Sequence, residues 1–569
     1  MALDLRDLPR DHPREFLPEG LDLGEWEEIE LLFKELDGRK IDSMERLERW
    51  LRDWSELEAA LDEEGAVRYI RMTCQTDDPE RERAYLEFIE EIEPRIKPRL
   101  QRLRERYVKS PARGELPPFY HVLDRSIANR VELFREENVP LETEEARLAQ
   151  RYQKIAGAMT VQFQGEEQTL QQMARYLEEP GRKIRREAWE LAEERRLQDR
   201  EELDEIYDEL LALRERIAHN AGFPDYREYA FRARERFDYT PEDCGRFHQA
   251  VEEQVVPLLR ELQRGRQGEL GLDTLRPWDL QVDPKNRPPL RPFREATELT
   301  EGCGEIFQQV GPGLGRSFRR LEELGLLDLE SRKGKAPGAY SATLAEKRLP
   351  FIFANSVGRD GDLQTMLHES GHAFHSLAAR EQPLFFYRRA PLEFAEVASM
   401  GMELLGGEHL DVFYSGEDAL RSRREHLEGI VRLLPWIATI DSFQHWIYTH
   451  PAHSREERKA YWLELRRRFG GVESWTGYEN VLENQWQRQL HLFEVPFYYI
   501  EYGIAQLGAL GVWRNAEEDK AGTIAAYRGA LALGGSRPLP ELFAAAGLRF
   551  DFSSETVAQA VGALRAALL

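Results

Sequence analysis

From Gly24 to about Arg106, apolar residues recur every three or four positions on a charged background, in segments such as WEEIELLFKEL, SMERLERWLRDWSELEAAL and RERAYLEFIEEIEPRI. That period predicts amphipathic helices packed on one another, with their charge runs as solvated faces. The period changes between Thr160 and Leu170, where TVQFQGEEQTL alternates and turns at Gly165 and Glu166, which predicts a small hairpin. Helices resume, one opening at Thr240 with Pro241 at its first position and Asp243 in its first turn. Gly265 begins a polar stretch that runs into LRPWDLQVDPKNRPPLRPF. Its prolines predict a long connection over about 265–293, pinned to the surface by Trp278 and Leu280. Between Ala336 and Ser356, GAYSAT and PFIFANS flank a polar turn at Glu346 to Arg348 and read as a second short hairpin. The fold class is therefore mainly α with small β elements, with an N-terminal helical region over 1–200 and a second region over 201–569.

A chain of 569 residues buries a large core and ordinarily divides into two or more lobes. Hydrophobic residues at 41% and charged residues at 32% indicate a globular protein. No apolar run approaches the roughly eighteen residues of a membrane span, and the first thirty residues lack a basic start followed by an apolar stretch. No membrane partner and a cytoplasmic location are the expectations. A formal charge of -25 argues against nonspecific binding to nucleic acid or anionic membranes. Cys74, Cys244 and Cys303 are far apart and odd in number, which predicts buried thiols, with neither a disulfide framework nor a Cys-type metal site.

The segment HESGH sets His368 and His372 one helical turn apart, with Glu369 beside the first. On a helix both imidazoles reach one metal ion, while the carboxylate, offset by about 100 degrees, meets a water at that ion. Asp360, Gly361 and Asp362 ahead of Leu363, Met366 and Leu367 read as a turn, a capping carboxylate and a buried stripe, so the motif sits inside a helix. A third ligand is still needed. His375 shares the face of His368, but seven residues rise about 10.5 Å, whereas donors on one tetrahedral zinc are about 3.4 Å apart. His375 is thus a substrate-facing, ligand-supporting or packed residue. On the following helical stretch, PLEFAEVASMGMELL, Glu396 is flanked by Ala395, Val397 and Ala398, whose apolar surroundings suit a buried carboxylate paired with zinc. Glu393 would suit a hydrogen bond to a ligand imidazole, and Glu403 reads as a solvated charge. Ala378 rules out a metzincin pattern, and the inverted HxxEH order is absent at this site.

GKAPGAY, LPFIFANSVG, DLQTMLHESGHAFHSL and EFAEVAS, in this order from Gly334 to Ser399, resemble the oligoendopeptidase F and thimet oligopeptidase family of zinc peptidases. The similarity extends to LRPWDL before this block and to HLFEVPFYYIEYGIAQ after it. The resemblance implies a zincin-like fold, two helical lobes flanking a deep channel that admits short peptides, with a small β hairpin or sheet beside the zinc site. It also implies one Zn2+ per chain. Strand residues Phe353, Ala354 and Asn355 are expected to offer an exposed edge to an extended peptide, with an ordinary core strand as the other reading.

In HLFEVPFYYIEYGIAQ, Pro496 should break the helix between His491 and the cluster Tyr498, Tyr499 and Tyr502, turning them into one pocket. By the resemblance, His491 and Tyr502 stabilise the transition state, and Tyr498 or Tyr499 holds substrate backbone; an aromatic core cluster is the other reading. The expected function is zinc-dependent endoproteolysis of short oligopeptides, with Glu369 as general base toward water at the metal. A zinc carboxypeptidase on a similar helical scaffold and a non-catalytic peptide-binding protein are the alternatives. The chain specifies no oligomeric state.

Overall fold

A computed structural model describes residues 5–569. Helices dominate it, and the β structure comprises one two-stranded and one three-stranded sheet among the described residues. The first sheet pairs β1 (Thr160–Phe163) with β2 (Glu166–Thr169) antiparallel. Its turn falls at Gln164 and Gly165, both with positive φ, one residue earlier than the alternation suggested, because glycine adopts the second left-handed position without strain.

Two compact units can be distinguished. One comprises residues 1–132, 290–423 and 508–550, the other 133–289, 424–507 and 551–569. Both are assembled from segments that alternate along the chain, whereas the partition at residue 200 follows chain order. The unit boundary after Pro289 falls inside the Pro-rich stretch. Trp278 there is buried against Trp189 and Tyr478, and Asp279 receives the guanidinium groups of Arg182 and Arg185.

In the first unit, the helix Met44–Cys74 buries Leu47, Trp50, Leu51, Trp54, Leu57 and Leu61, the three-and-four spacing read from the sequence. Glu63 on this helix accepts hydrogen bonds from the Glu346 and Lys347 amides at 2.8 and 2.7 Å, pinning the turn between β4 (Tyr340–Leu344) and β5 (Leu349–Ser356). The second sheet has the order β3-β5-β4, with β3 at Leu327–Glu330. β5 is its central strand: Phe353 faces Asp328 across the parallel ladder and Tyr340 across the antiparallel one. The expectation that Phe353, Ala354 and Asn355 form an open edge is therefore corrected. Phe353 and Ala354 are buried, and the Asn355 amide donates to the carbonyls of Ala336 and Gly338. The outer strands of this sheet are β3 and β4.

Lys335 locks this sheet from one side. Its ammonium sits 4.4 Å from the Phe353 ring centroid and 2.9 Å from Asp328. Burial alone would raise the Asp328 pKa, but hydrogen bonds from Arg332, Cys74 and Lys335 hold it at about 2. A carboxyl depressed in the folded state contributes stability above its unfolded pKa of about 3.9. That contribution is lost as pH falls toward 2. Asp328→Asn is accordingly expected to destabilise the protein at pH 7, with the deficit shrinking as denaturant titrations are moved below pH 4.

Candidate active site

The helix Asp360–Ala379 carries the motif. It is started by Asp362, whose carboxylate accepts from the amides of Val357 and Arg359 at 2.7 and 2.9 Å. Asp360 is tied to Tyr414 and Ser422 through hydroxyl hydrogen bonds. Leu363, Met366, Leu367, Ala373 and Phe374 are buried, so the opposite face presents His368 and His372, whose ring centroids are 4.9 Å apart.

The helix Leu392–Gly406 delivers the carboxylate. Glu396 Oε2 is 3.5 Å from His368 Nε2 and 3.8 Å from His372 Nε2. These three residues each offer one ligand atom within 4.8 Å of the others. Donors on a tetrahedral zinc are separated by about 3.4 Å, and two imidazoles with one carboxylate form a zinc-type donor set. The residues fit a zinc ion. Ser399 Oγ donates to Glu396 Oε2 at 2.9 Å and fixes that carboxylate. The two helices approach so closely that a Cβ at Gly371 would lie 2.5 Å from Ala398 O and from Ser399 Cα. Tyr527 holds the same Ala398 carbonyl through its hydroxyl at 2.6 Å.

His368 is gripped from behind by Glu403, Nδ1 to Oε1 at 2.5 Å. Glu403 was expected to be a solvated charge and Glu393 the imidazole partner; Glu403 fills that role because it lies two turns beyond Glu396 on one helical face. Burial opposes a charge on His368, but the hydrogen bond and charge of Glu403, with Glu396 and Glu369, raise its pKa to about 9. His372 is held at about 3 by burial and by the neighbouring His368 and His375, and it hydrogen-bonds the backbone of Ala395. Outer partners of metal-binding histidines fix ring orientation. Glu403→Ala is therefore expected to weaken metal binding by about 10–100-fold, as read by competition with a chromogenic chelator.

Glu369 is buried and accepts a hydrogen bond from the backbone of Ser341 on β4. Burial, then the charges of Glu396 and Glu403, push its pKa up to about 7 against the opposing pull of His368. Of the readings open for His375, its surroundings fit the packed residue and not the substrate-facing one. It is 6% exposed, lies 6.1 Å from the Phe394 ring, and burial pushes its pKa down to about 4.

In the second unit, the chain breaks between Glu494 and Tyr499, and Phe497 takes φ 64°. The backbone groups released there are satisfied by buried side chains. Arg214 donates to the carbonyls of Leu492 and Phe493, Arg234 to Pro496 and Arg236 to Phe497, while Gln444 accepts from the Phe497 amide. The break turns His491 and all three tyrosines together, with ring centroids 5.6 Å (Tyr498), 4.8 Å (Tyr499) and 6.1 Å (Tyr502) from the imidazole. Burial, then the charge of Arg234, lowers the His491 pKa, which favours the neutral ring. Gln489 Nε2 lies 2.8 Å from His491 Nδ1, and Gln489 Oε1 accepts from Trp436 Nε1 at 2.9 Å. The amide nitrogen can only donate, so Nδ1 accepts and the ring proton resides on Nε2. No local spacing signals this Trp436–Gln489 relay.

The family model of Peptidase family M3 matches residues 175–562, and that of the Peptidase M3 N-terminal domain matches residues 24–122. The chain is 24% identical over 257 residues to the group B oligopeptidase PepB of Streptococcus agalactiae, covering 44% of this chain and 41% of that protein. It is 26% identical over 260 residues to the oligopeptidase PepF of Bacillus subtilis, covering 44% and 37%. The aligned part thus spans about two fifths of these relatives' own lengths. Solved structures align over nearly the whole chain. A Pz peptidase A with a bound inhibitor superposes with a TM-score of 0.87 at 28% identity, over 97% of this chain and 98% of that one. A Bacillus anthracis chain assigned as an oligoendopeptidase F gives 0.83 at 26%, over 100% and 98%. The extent of the family match, together with the helical architecture and the two-histidine, one-carboxylate cluster, establishes that this chain belongs to peptidase family M3.

Proposed function

We propose that this protein is a zinc-dependent endopeptidase acting on short oligopeptides. The observation that carries this reading is the convergence of His368, His372 and Glu396 on one point, with the buried Glu369 beside them. A zinc ion held by these residues supplies Lewis acidity toward water and a peptide carbonyl. Glu369, with its pKa raised to about 7, takes a proton from the attacking water and passes it to the leaving amine nitrogen. The unpaired side of β4 offers main-chain hydrogen bonds to an extended peptide.

His491 Nε2–H and the Tyr502 hydroxyl serve as donors to the developing oxyanion, and Tyr498 or Tyr499 holds substrate backbone. Tyr502→Phe is expected to retain its metal and to lose roughly 100-fold in turnover. Comparison of kcat with metal content per chain measures both. The reading as a whole is tested with a quenched fluorescent peptide library, with and without a chelator, and with product masses. Internal cuts abolished by the chelator support it. Release of single C-terminal residues would favour a carboxypeptidase, and binding without cleavage a peptide-holding protein.

A further inference from the structure

Within the unit formed by residues 133–289, 424–507 and 551–569, two helices each carry a pair of donor residues one turn apart. The helix Pro241–Ala250 carries Cys244 and His248, and the helix Gly416–Thr449 carries Asp441 and His445. The two pairs meet. Cys244, Asp441 and His445 each place a ligand atom within 4.8 Å of the other two. Asp441 is fully buried, and its Oδ2 accepts a hydrogen bond from His248 Nε2 at 2.8 Å. Its other oxygen, Oδ1, has no hydrogen-bond partner among the described residues. His445 Nε2 lies 3.2 Å from Asp441 Oδ2, an ion-pair distance at which it makes no well-aligned hydrogen bond. Phe231 and Phe497 close over the His445 ring at 5.8 and 5.3 Å.

A fully buried carboxylate oxygen with no partner, beside an imidazole nitrogen held only by a poorly aligned ion pair, is costly unless something binds both. We propose that this cluster is a second metal site, taking one divalent ion of the zinc class on Cys244 Sγ, Asp441 Oδ1 and His445 Nε2. Sulfur and imidazole donors together select zinc or cobalt over calcium and magnesium. His248 holds the second carboxylate oxygen, as outer partners of metal ligands do. Binding exchanges the Cys244 thiol proton for the metal and releases that proton to solvent. Cys244 is 1% exposed, too enclosed for its sulfur to attack a substrate, so the ion's role is to tie the helix Pro241–Ala250 to Gly416–Thr449. The expectation that no cysteine here contributes to a metal site is thereby revised for Cys244. The donors reach one another only through the fold.

The test uses the full chain carrying His368→Ala and His372→Ala, which removes two donors of the motif site while leaving the second cluster intact. After chelation it is titrated with Co2+. One bound equivalent per chain with a sulfur-to-cobalt charge-transfer band is expected; the motif site contains no sulfur and contributes no such band. Adding Cys244→Ser should abolish the band, whereas Cys74→Ser and Cys303→Ser should leave it. Absence of bound cobalt and of the band in the double-alanine chain, where Cys244 is untouched, overturns the proposal. Loss of the band with Cys74→Ser or Cys303→Ser in place of Cys244→Ser overturns it equally.

Discussion

Glu369→Gln should keep its metal and lose turnover by about 10^2–10^4-fold, the range contributed by a positioned general base. The substitution preserves shape and leaves an oxygen to accept the Ser341 backbone hydrogen bond, but an amide cannot take a proton from water at neutral pH. The three residues that converge on the metal position are His368, His372 and Glu396, so their geometry does not depend on the charge at Glu369. The loss should therefore appear in kcat and kcat/KM together, with unchanged metal content measured on the same preparation. Burial, reinforced by Glu396 and Glu403, is what brings this carboxyl to about 7, near the pH at which the proposed base would both accept and return a proton. Turnover equal to that of the unsubstituted chain would defeat the assignment of Glu369 as the base.

What the sequence disclosed was whatever depends on local spacing. The repeat of Leu47, Trp50, Leu51 and Trp54 specifies a helix and its buried face. Two histidines one turn apart specify a shared direction, and Pro496 specifies a break. The misread features depend on neighbours distant in the chain. An open edge at Phe353 to Asn355 conflicts with the continuous apolar stretch from Pro350 to Ala354, which signals a strand covered on both faces. β5 is such a strand, flanked by β3 and β4. Glu403 reads as a solvated charge in its own segment because its partner His368 lies on another helix; its seven-residue spacing from Glu396 is the signal the chain offers, since both then lie along one face. The arginines that satisfy the broken helix at Pro496 come from positions 214, 234 and 236, and no local pattern connects them to it.

Gly371, inside the motif itself, tests the helix pairing directly. It has helical neighbours and no need for a left-handed backbone, so its requirement is space alone. An added Cβ meets Ala398 O and Ser399 Cα at 2.5 Å, and Ala398 C at 3.0 Å. All three are backbone atoms, which cannot swing aside as a flexible side chain would. Relief requires the helices Asp360–Ala379 and Leu392–Gly406 to separate by roughly 1 Å, in a packed interior that resists such shifts. Gly371→Ala should therefore cost about 1–3 kcal/mol in stability. It should also carry Glu396 away from His368 and His372, weakening metal binding although no donor has been altered. Gly361→Ala is the matched control: it lies on the same helix, and a Cβ there meets no atom within 4 Å. That variant should retain metal affinity and the thermal midpoint. If chelator competition and thermal unfolding place Gly371→Ala level with Gly361→Ala, close approach of the two helices is not what sets the carboxylate in place.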